Sequence, residues 1–167
     1  MITREMQVNE LDTAYLAFYK GPATDWVHKT THHATCLWTR SKYSHVELVI
    51  DGVCYSASGR DGGVRKKVIP NLNSSGRWDI YEVQIDKAFA LNLFKFEEGL
   101  GYDWLGVAKF VLPFIPESQS RWYCSELIAA MMGTTNDNKS PQQLFEQEVL
   151  TKYQRYIPSP EKPIDFL

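Results

Sequence analysis

The sequence predicts one α+β domain in which strands occupy the first half and helices the second. Its 167 residues fall within the ~100–200 residues of a typical domain. Hydrophobic residues make up 44% and charged residues 23% of the chain, as expected for a globular protein with a packed core. The apolar pattern changes from alternation to helical spacing after Ile85, which separates strands from helices. We therefore expect a single domain over residues 1–167.

The strands of the first half are bounded by turn residues. An aromatic-rich segment ends at a Gly-Pro pair, and two apolar segments flank Asp51-Gly52, the strongest short signal for a β-hairpin. Their closeness along the chain indicates a small antiparallel sheet or barrel. The predicted strands cover residues 14–21, 46–50, 53–58, 64–69 and 78–85.

Helices are predicted from apolar spacing and from capping residues. Ser140-Pro141 begins one helix, because serine is a common N-cap and proline suits the first helical position. Prolines after Tyr156 predict an irregular C-terminal segment from about residue 156. The predicted helices cover residues 24–38, 87–98, 102–112, 120–132 and a short segment after 140.

Composition argues against several classes of function. A net charge of −2 is unlike that of a chain with a broad nucleic-acid-binding surface. No apolar segment approaches the ~20 residues of a membrane span. The first residues lack the apolar core of a secretory signal, which predicts a cytoplasmic protein.

The three cysteines, Cys36, Cys54 and Cys124, have no CxxC spacing and predict neither a disulfide framework nor a zinc site. Cys124 begins an apolar helical repeat. In the first turn of a helix, the macrodipole and unpaired backbone N–H groups favour a thiolate and can receive an oxyanion. The alternative is an unreactive buried helix cysteine. Cys36 and Cys54 are predicted to be small buried residues.

A thiolate nucleophile needs a base, usually a histidine that a third polar group orients. His45 begins a predicted strand, and Glu47 lies two residues later on the same face. His28 and His32 would share a helix face and could bind a metal, but no carboxylate stands at a matching position. We therefore expect packing or solvated histidines there, and no metal or cofactor.

Four segments together resemble the permuted NlpC-type hydrolases, which are papain-fold cysteine peptidases and amidases. They are YSHVELVIDG, GYDWLG, RWYCSEL and the Ser-Pro-x-x-Leu step that begins at Ser140. They follow the family's order, with the histidine strand before the cysteine helix. The resemblance implies a circularly permuted papain-like fold, a small antiparallel sheet or barrel packed against helices. It implies that Cys124 is the nucleophile, His45 the general base, and Tyr102 a hydroxyl near the oxyanion.

The residue that orients His45 is left open between two candidates. Relatives often carry a polar residue, commonly glutamate, in the strand after the histidine strand, and Ser56 stands at or near this position. A serine can accept a hydrogen bond from the imidazole but cannot offset its charge. Glu47 could replace it, although neighbours along one strand face are not expected to meet head-on.

Three functions are compatible with these residues. The first is a thiol hydrolase that cleaves an amide bond through an acyl-enzyme, with cell-wall peptides as the substrate class that the resemblance implies. Such an enzyme would reach the wall by lysis, injection or a phage particle. The second is an acyltransferase or thioesterase on lipid esters, because lecithin-retinol acyltransferase-like enzymes share the fold. The third is a non-catalytic binding, virion or effector protein.

No nucleic-acid partner is expected, and the oligomeric state is left open. Arg65-Lys66-Lys67 is the main basic cluster. On an alternating strand, Arg65 and Lys67 share one face, which we interpret as a solvated edge that discourages aggregation.

Overall fold

A computed structural model of the protein describes residues 11–21, 42–108, 121–134 and 140–151, and the backbone of residues 155–156. These residues have a mixed α+β architecture built on an antiparallel sheet, as predicted. The strands of the sheet are β1 (Asp12–Tyr19), β2 (His45–Ile50), β3 (Val53–Ser58), β4 (Gly63–Lys67), β5 (Trp78–Ile85) and the short β8 (Arg155–Tyr156). They lie side by side in the order β4-β3-β2-β1-β5-β8.

The five predicted strands of the first half are confirmed, with ends that differ by at most two residues. Asp51 and Gly52 both have positive φ angles, of 48° and 75°, as the tight hairpin turn between β2 and β3 requires. Asparagine, aspartate and glycine tolerate this conformation better than other residues. The local sequence therefore determines this hairpin.

Within the described ranges, four helices follow, and two of them begin later than predicted. They are α1 (Lys87–Glu97), α2 (Trp104–Ala108), α3 (Cys124–Met131) and α4 (Pro141–Phe145), which continues into a π-helical turn (Glu146–Leu150). The predictions that placed helix at 102 and at 120–123 were wrong. Two short parallel strands, β6 (Gly101–Tyr102) and β7 (Arg121–Trp122), pair with each other instead. This pairing makes Cys124 the first residue of α3.

The two faces of the sheet carry different side chains. One face packs against α1, α3 and α4 through the main hydrophobic core, which includes Val46, Leu48 and Leu127. The opposite face carries a smaller cluster that includes Val49 and Cys54. Because strand side chains alternate between faces, His45 and Glu47 share the face of Val49. The site therefore begins at the edge of this second face.

Some predictions fall outside the described residues. These are the helix at 24–38 with Cys36 and His28, His32 and His33, and the proline-rich C-terminal segment. Cys54 is buried, with 1% of its surface exposed, as predicted. Within the described residues, no helix has the length and apolar character needed to cross a membrane.

Candidate active site

The nucleophile candidate lies at the N-terminus of a helix. Cys124 is the first residue of α3, and the preceding Tyr123 is extended, with φ −105° and ψ 166°. The Tyr123 N–H donates a hydrogen bond of 3.5 Å to the Glu126 carboxylate, one half of a capping interaction. Backbone N–H groups point outward at the start of a helix, where they can receive an oxyanion.

His45 lies between Cys124 and Glu47. Its Nε2 is 2.8 Å from Oε1 of Glu47, and Cys124 is close enough to raise the pKa of the imidazole. Burial by itself would lower the pKa of His45, but the negative charges of Cys124 and Glu47 raise it to about 9. The arrangement thus stabilises an imidazolium.

Of the two candidates for the orienting residue, Glu47 is the one that contacts His45. Its side chain is 1% exposed, and Arg65 donates two hydrogen bonds of 2.6 Å, one to each carboxylate oxygen. Burial would raise the pKa of Glu47, but the hydrogen bonds from Arg65 and His45 lower it to about 2. The expectation that Glu47 and His45 would not meet along one strand was wrong. Arg65 binds both carboxylate oxygens of Glu47, and one of them, Oε1, also faces Nε2 of His45.

Arg65 corrects a second expectation, since it does not form a solvated edge. Its side chain is only 13% exposed. Besides binding Glu47, its Nε donates a hydrogen bond of 2.7 Å to Asp61, which also accepts one of 2.6 Å from Lys67. Positive and negative groups therefore alternate from His45 to the surface. This order keeps Glu47 ionised when His45 gives up its proton, because one cation remains in contact with it.

Ser56 does not contact His45. Its hydroxyl donates a hydrogen bond of 2.7 Å to the Val46 carbonyl, and its side chain is fully buried. Ser56 pairs with Arg65 across β3 and β4, so both lie on the same face. Arg65 must cross β3 to reach Glu47 on β2, a distance of two strand spacings, roughly 10 Å. The small serine leaves room for this crossing.

Tyr102 lies beside the nucleophile through the β6–β7 pair. Tyr102 pairs with Trp122, two residues before Cys124, and the Asp103 N–H donates a hydrogen bond of 2.9 Å to the Trp122 carbonyl. Burial and the nearby charge of Cys124 raise the pKa of Tyr102 well above its usual value. Its hydroxyl therefore stays protonated and remains a hydrogen-bond donor.

Sequence reasoning missed Arg65 as a site residue, although one signal pointed to it. Glu47 stands in an otherwise apolar strand, and a buried carboxylate needs a cation. The nearby basic residues, at 65–67, all belong to β4. It also missed Trp78, whose ring is 6.4 Å from the His45 ring, edge to face.

The other described cysteine has a different environment. Burial and the charge of Glu47 raise the pKa of Cys54 to about 12, so its thiol stays protonated and poorly nucleophilic. Among the described residues, no group of three His, Cys, Asp or Glu side chains could hold a metal ion.

No protein-family model matches this chain, and no curated protein sequence matches it significantly. The function of the site is therefore argued from its own geometry.

Proposed function

We propose that this protein is a thiol hydrolase that cleaves an amide bond of a peptide or isopeptide. Cys124 is the nucleophile, His45 the general base and acid, and Glu47 the orienting residue. The observation that carries the proposal is the position of His45, whose Nε2 lies 2.8 Å from Oε1 of Glu47 and whose pKa is raised by the nearby Cys124. This is the nucleophile, base and orienting group that covalent hydrolysis needs.

The first half of the reaction forms an acyl-enzyme. The Cys124 sulfur attacks the amide carbonyl carbon, and the resulting oxyanion receives hydrogen bonds from the N–H groups at the start of α3 and from the Tyr102 hydroxyl. His45, protonated with the proton that came from the thiol, transfers it to the leaving nitrogen. The C–N bond breaks, the amine departs, and a thioester to Cys124 remains.

The second half releases the acid. Neutral His45 takes a proton from a water molecule, whose oxygen attacks the thioester carbonyl. The C–S bond then breaks, and the thiolate again faces the imidazolium. Glu47 stabilises the imidazolium at both stages, and Arg65 keeps Glu47 ionised while the imidazole is neutral.

The order of the site residues supports a circularly permuted papain-like arrangement. The strand with His45 precedes the helix with Cys124, and the helix packs against β2 and β3. Glu47, in contact with His45, is a charged third residue. A site without such a residue would favour the non-catalytic alternative. Cell-wall peptides remain the substrate class that the resemblance suggests.

The decisive experiment compares single-thiol variants. C36A/C54A leaves Cys124 as the sole thiol, and C124A removes it. We expect a chloroacetamide fluorophore, at low concentration, to label wild type and C36A/C54A, but to label C124A weakly. Hydrolysis of a pool of quenched peptides should fall about 10⁴-fold or more in C124A, the loss expected when a nucleophile is removed.

C54A serves as the matched control, because it removes a buried thiol that the mechanism does not use. It should keep both labelling and hydrolysis. Undiminished labelling and hydrolysis in C124A would refute the proposed function.

A further inference from the structure

A basic cleft borders the candidate active site. It has a volume of about 620 Å³, and His45 and Trp78 form part of its wall. The chain as a whole has 18 basic and 20 acidic residues, so a surplus of positive charge in this cleft is a local feature. The charged side chains that line the cleft are Arg60, Arg65, Lys67 and Arg77, against Glu47 and Asp61.

The two carboxylates of the cleft are already bound by cations. Glu47 is buried under Arg65, and Asp61 accepts hydrogen bonds from Arg65 and Lys67. Within the described part of the chain, no carboxylate lies within ion-pair distance of the Arg77 guanidinium, which is exposed to solvent. Arg77 therefore adds a positive charge to the cleft that none of the described carboxylates pairs with.

Arg77 is also held in place by its surroundings. Its carbonyl accepts hydrogen bonds of 2.9 Å from the Lys20 N–H and 3.1 Å from the Gly21 N–H. The first carbons of its side chain pack against Gly21. A Cβ added at position 21 would lie 2.7 Å from Cβ and Cγ of Arg77. The next residue, Trp78, packs against the His45 ring. The backbone and the first side-chain carbons of Arg77 are therefore held one residue from the aromatic ring that packs beside His45.

We propose that this cleft binds a carboxylate on the leaving-group side of the substrate, an inference that rests on the proposed function. The leaving nitrogen takes its proton from His45, so the departing part of the substrate lies on the His45 side of the sulfur. His45 lines the basic cleft, so the cleft adjoins the group that protonates the leaving nitrogen. An acidic residue that follows the scissile amide places its carboxylate near Arg77, where opposite charge favours binding.

The test uses quenched peptide pools that differ at one position. Two pools carry Glu or Gln directly after the scissile amide, and two others carry Glu or Gln directly before it. We expect kcat/KM for Glu on the leaving side to exceed that for Gln by about fivefold, the size of one exposed ion pair. The ratio on the acyl side should be near one.

Arg77→Gln and Lys95→Gln form a matched pair of variants. Both remove one exposed positive charge, but Lys95 lies on α1, outside the cleft. R77Q should reduce the Glu/Gln ratio to about one, and K95Q should leave it unchanged. The wild-type ratio should also fall at ionic strength near 1 M, where the Debye length is about 3 Å.

Binding of the same peptides to C124A separates the two proposals. The anisotropy of labelled Glu and Gln peptides reports the cleft without any chemistry. A preference for Glu that R77Q abolishes, without hydrolysis by wild type, would support the carboxylate site and refute the hydrolase. Hydrolysis with equal rates for Glu and Gln, a preference that survives R77Q, or a preference only on the acyl side would refute the carboxylate site.

Discussion

Glu47 and Asp79 are both buried carboxylates on strands of the same sheet, and each is held by cations. Glu47 is 1% exposed and binds Arg65 and His45. Asp79 is 2% exposed and accepts hydrogen bonds from Lys20, from Lys42 at 3.0 Å and from the Tyr43 hydroxyl at 2.8 Å. The pKa of each carboxyl is lowered to about 2, because cation hydrogen bonds outweigh the effect of burial.

The two clusters differ in what lies next to the carboxylate. The partners of Asp79 are lysines and Tyr43, whose pKa is raised by burial and by its bonds to Tyr81 and Asp79. The raised pKa of Tyr43 keeps its hydroxyl protonated near neutral pH. Glu47 instead faces His45, and His45 faces a thiol. A lowered carboxyl pKa is therefore common to both clusters, whereas contact with a described histidine distinguishes Glu47.

The largest expected effect comes from removing Arg65. Arg65→Met keeps the length of the side chain but leaves Glu47 buried without its cation, which should cost about 3–5 kcal/mol of the free energy of unfolding. The value of kcat should fall about 100-fold, as expected when a catalytic group loses its orientation. Urea unfolding and hydrolysis of the peptide pool measure the two effects.

A double variant and a matched control separate stability from chemistry. E47Q/R65M removes both charges and should recover most of the stability, but not the activity, because glutamine cannot offset the imidazolium charge. D79N should destabilise the protein while leaving kcat within about twofold per folded molecule, since no catalytic group contacts Asp79. Recovery of activity in E47Q/R65M would contradict the role of Glu47.

Glu47 and Asp79 should contribute similarly to the loss of stability in acid. A carboxyl with a lowered pKa contributes stability that is present above its unfolded value of about 4 and is lost as pH falls toward about 2. Each carboxylate should thus account for roughly 2–3 kcal/mol of acid-dependent stability. E47Q and D79N should each flatten the pH dependence of the free energy of unfolding below pH 4, measured by urea titration.

Titration of the His45 ring by NMR should distinguish the clusters. Its pKa is raised to about 9, chiefly by Cys124 and then by Glu47. The pKa should fall markedly toward its ordinary value in C124A and stay near 9 in D79N. An unchanged His45 pKa in C124A would mean that the imidazole and the sulfur do not interact.

The smallest effect is expected at Ser56. Ser56→Ala loses the hydrogen bond to the Val46 carbonyl, worth about 1 kcal/mol, and should keep full activity. Ser56→Val adds a branched side chain where Arg65 crosses β3, so its activity should fall toward that of R65M. A large loss of kcat in S56A would instead assign the orienting role to the serine.

Sequence reasoning predicted the elements that depend on local chemistry. The Asp51-Gly52 hairpin was expected because few residues accept its positive φ angles. The start of α4 was expected because Ser140 can cap the helix, and its hydroxyl accepts a hydrogen bond of 3.3 Å from the Gln143 N–H.

The start of α3 was predicted less well. The helix was expected from residue 120, but residues 121–122 pair with residues 101–102, which are distant in sequence. A local pattern cannot reveal such pairing, because both segments have to be brought together by the rest of the fold. The pairing matters for function, since it places Cys124, and no earlier residue, at the helix N-terminus.

The sequence by itself determined the strands, the hairpin and the candidates Cys124 and His45, because these follow from backbone preferences, side-chain periodicity and ordered motifs. Only the tertiary structure decided that Glu47 contacts His45 and that Arg65 binds Glu47. The alternation of side chains along β4 shows that Arg65 and Lys67 lie on the same face of the strand. It does not show which residues pack on that face. The charge state of a side chain depends on its burial and partners, and both depend on neighbouring strands.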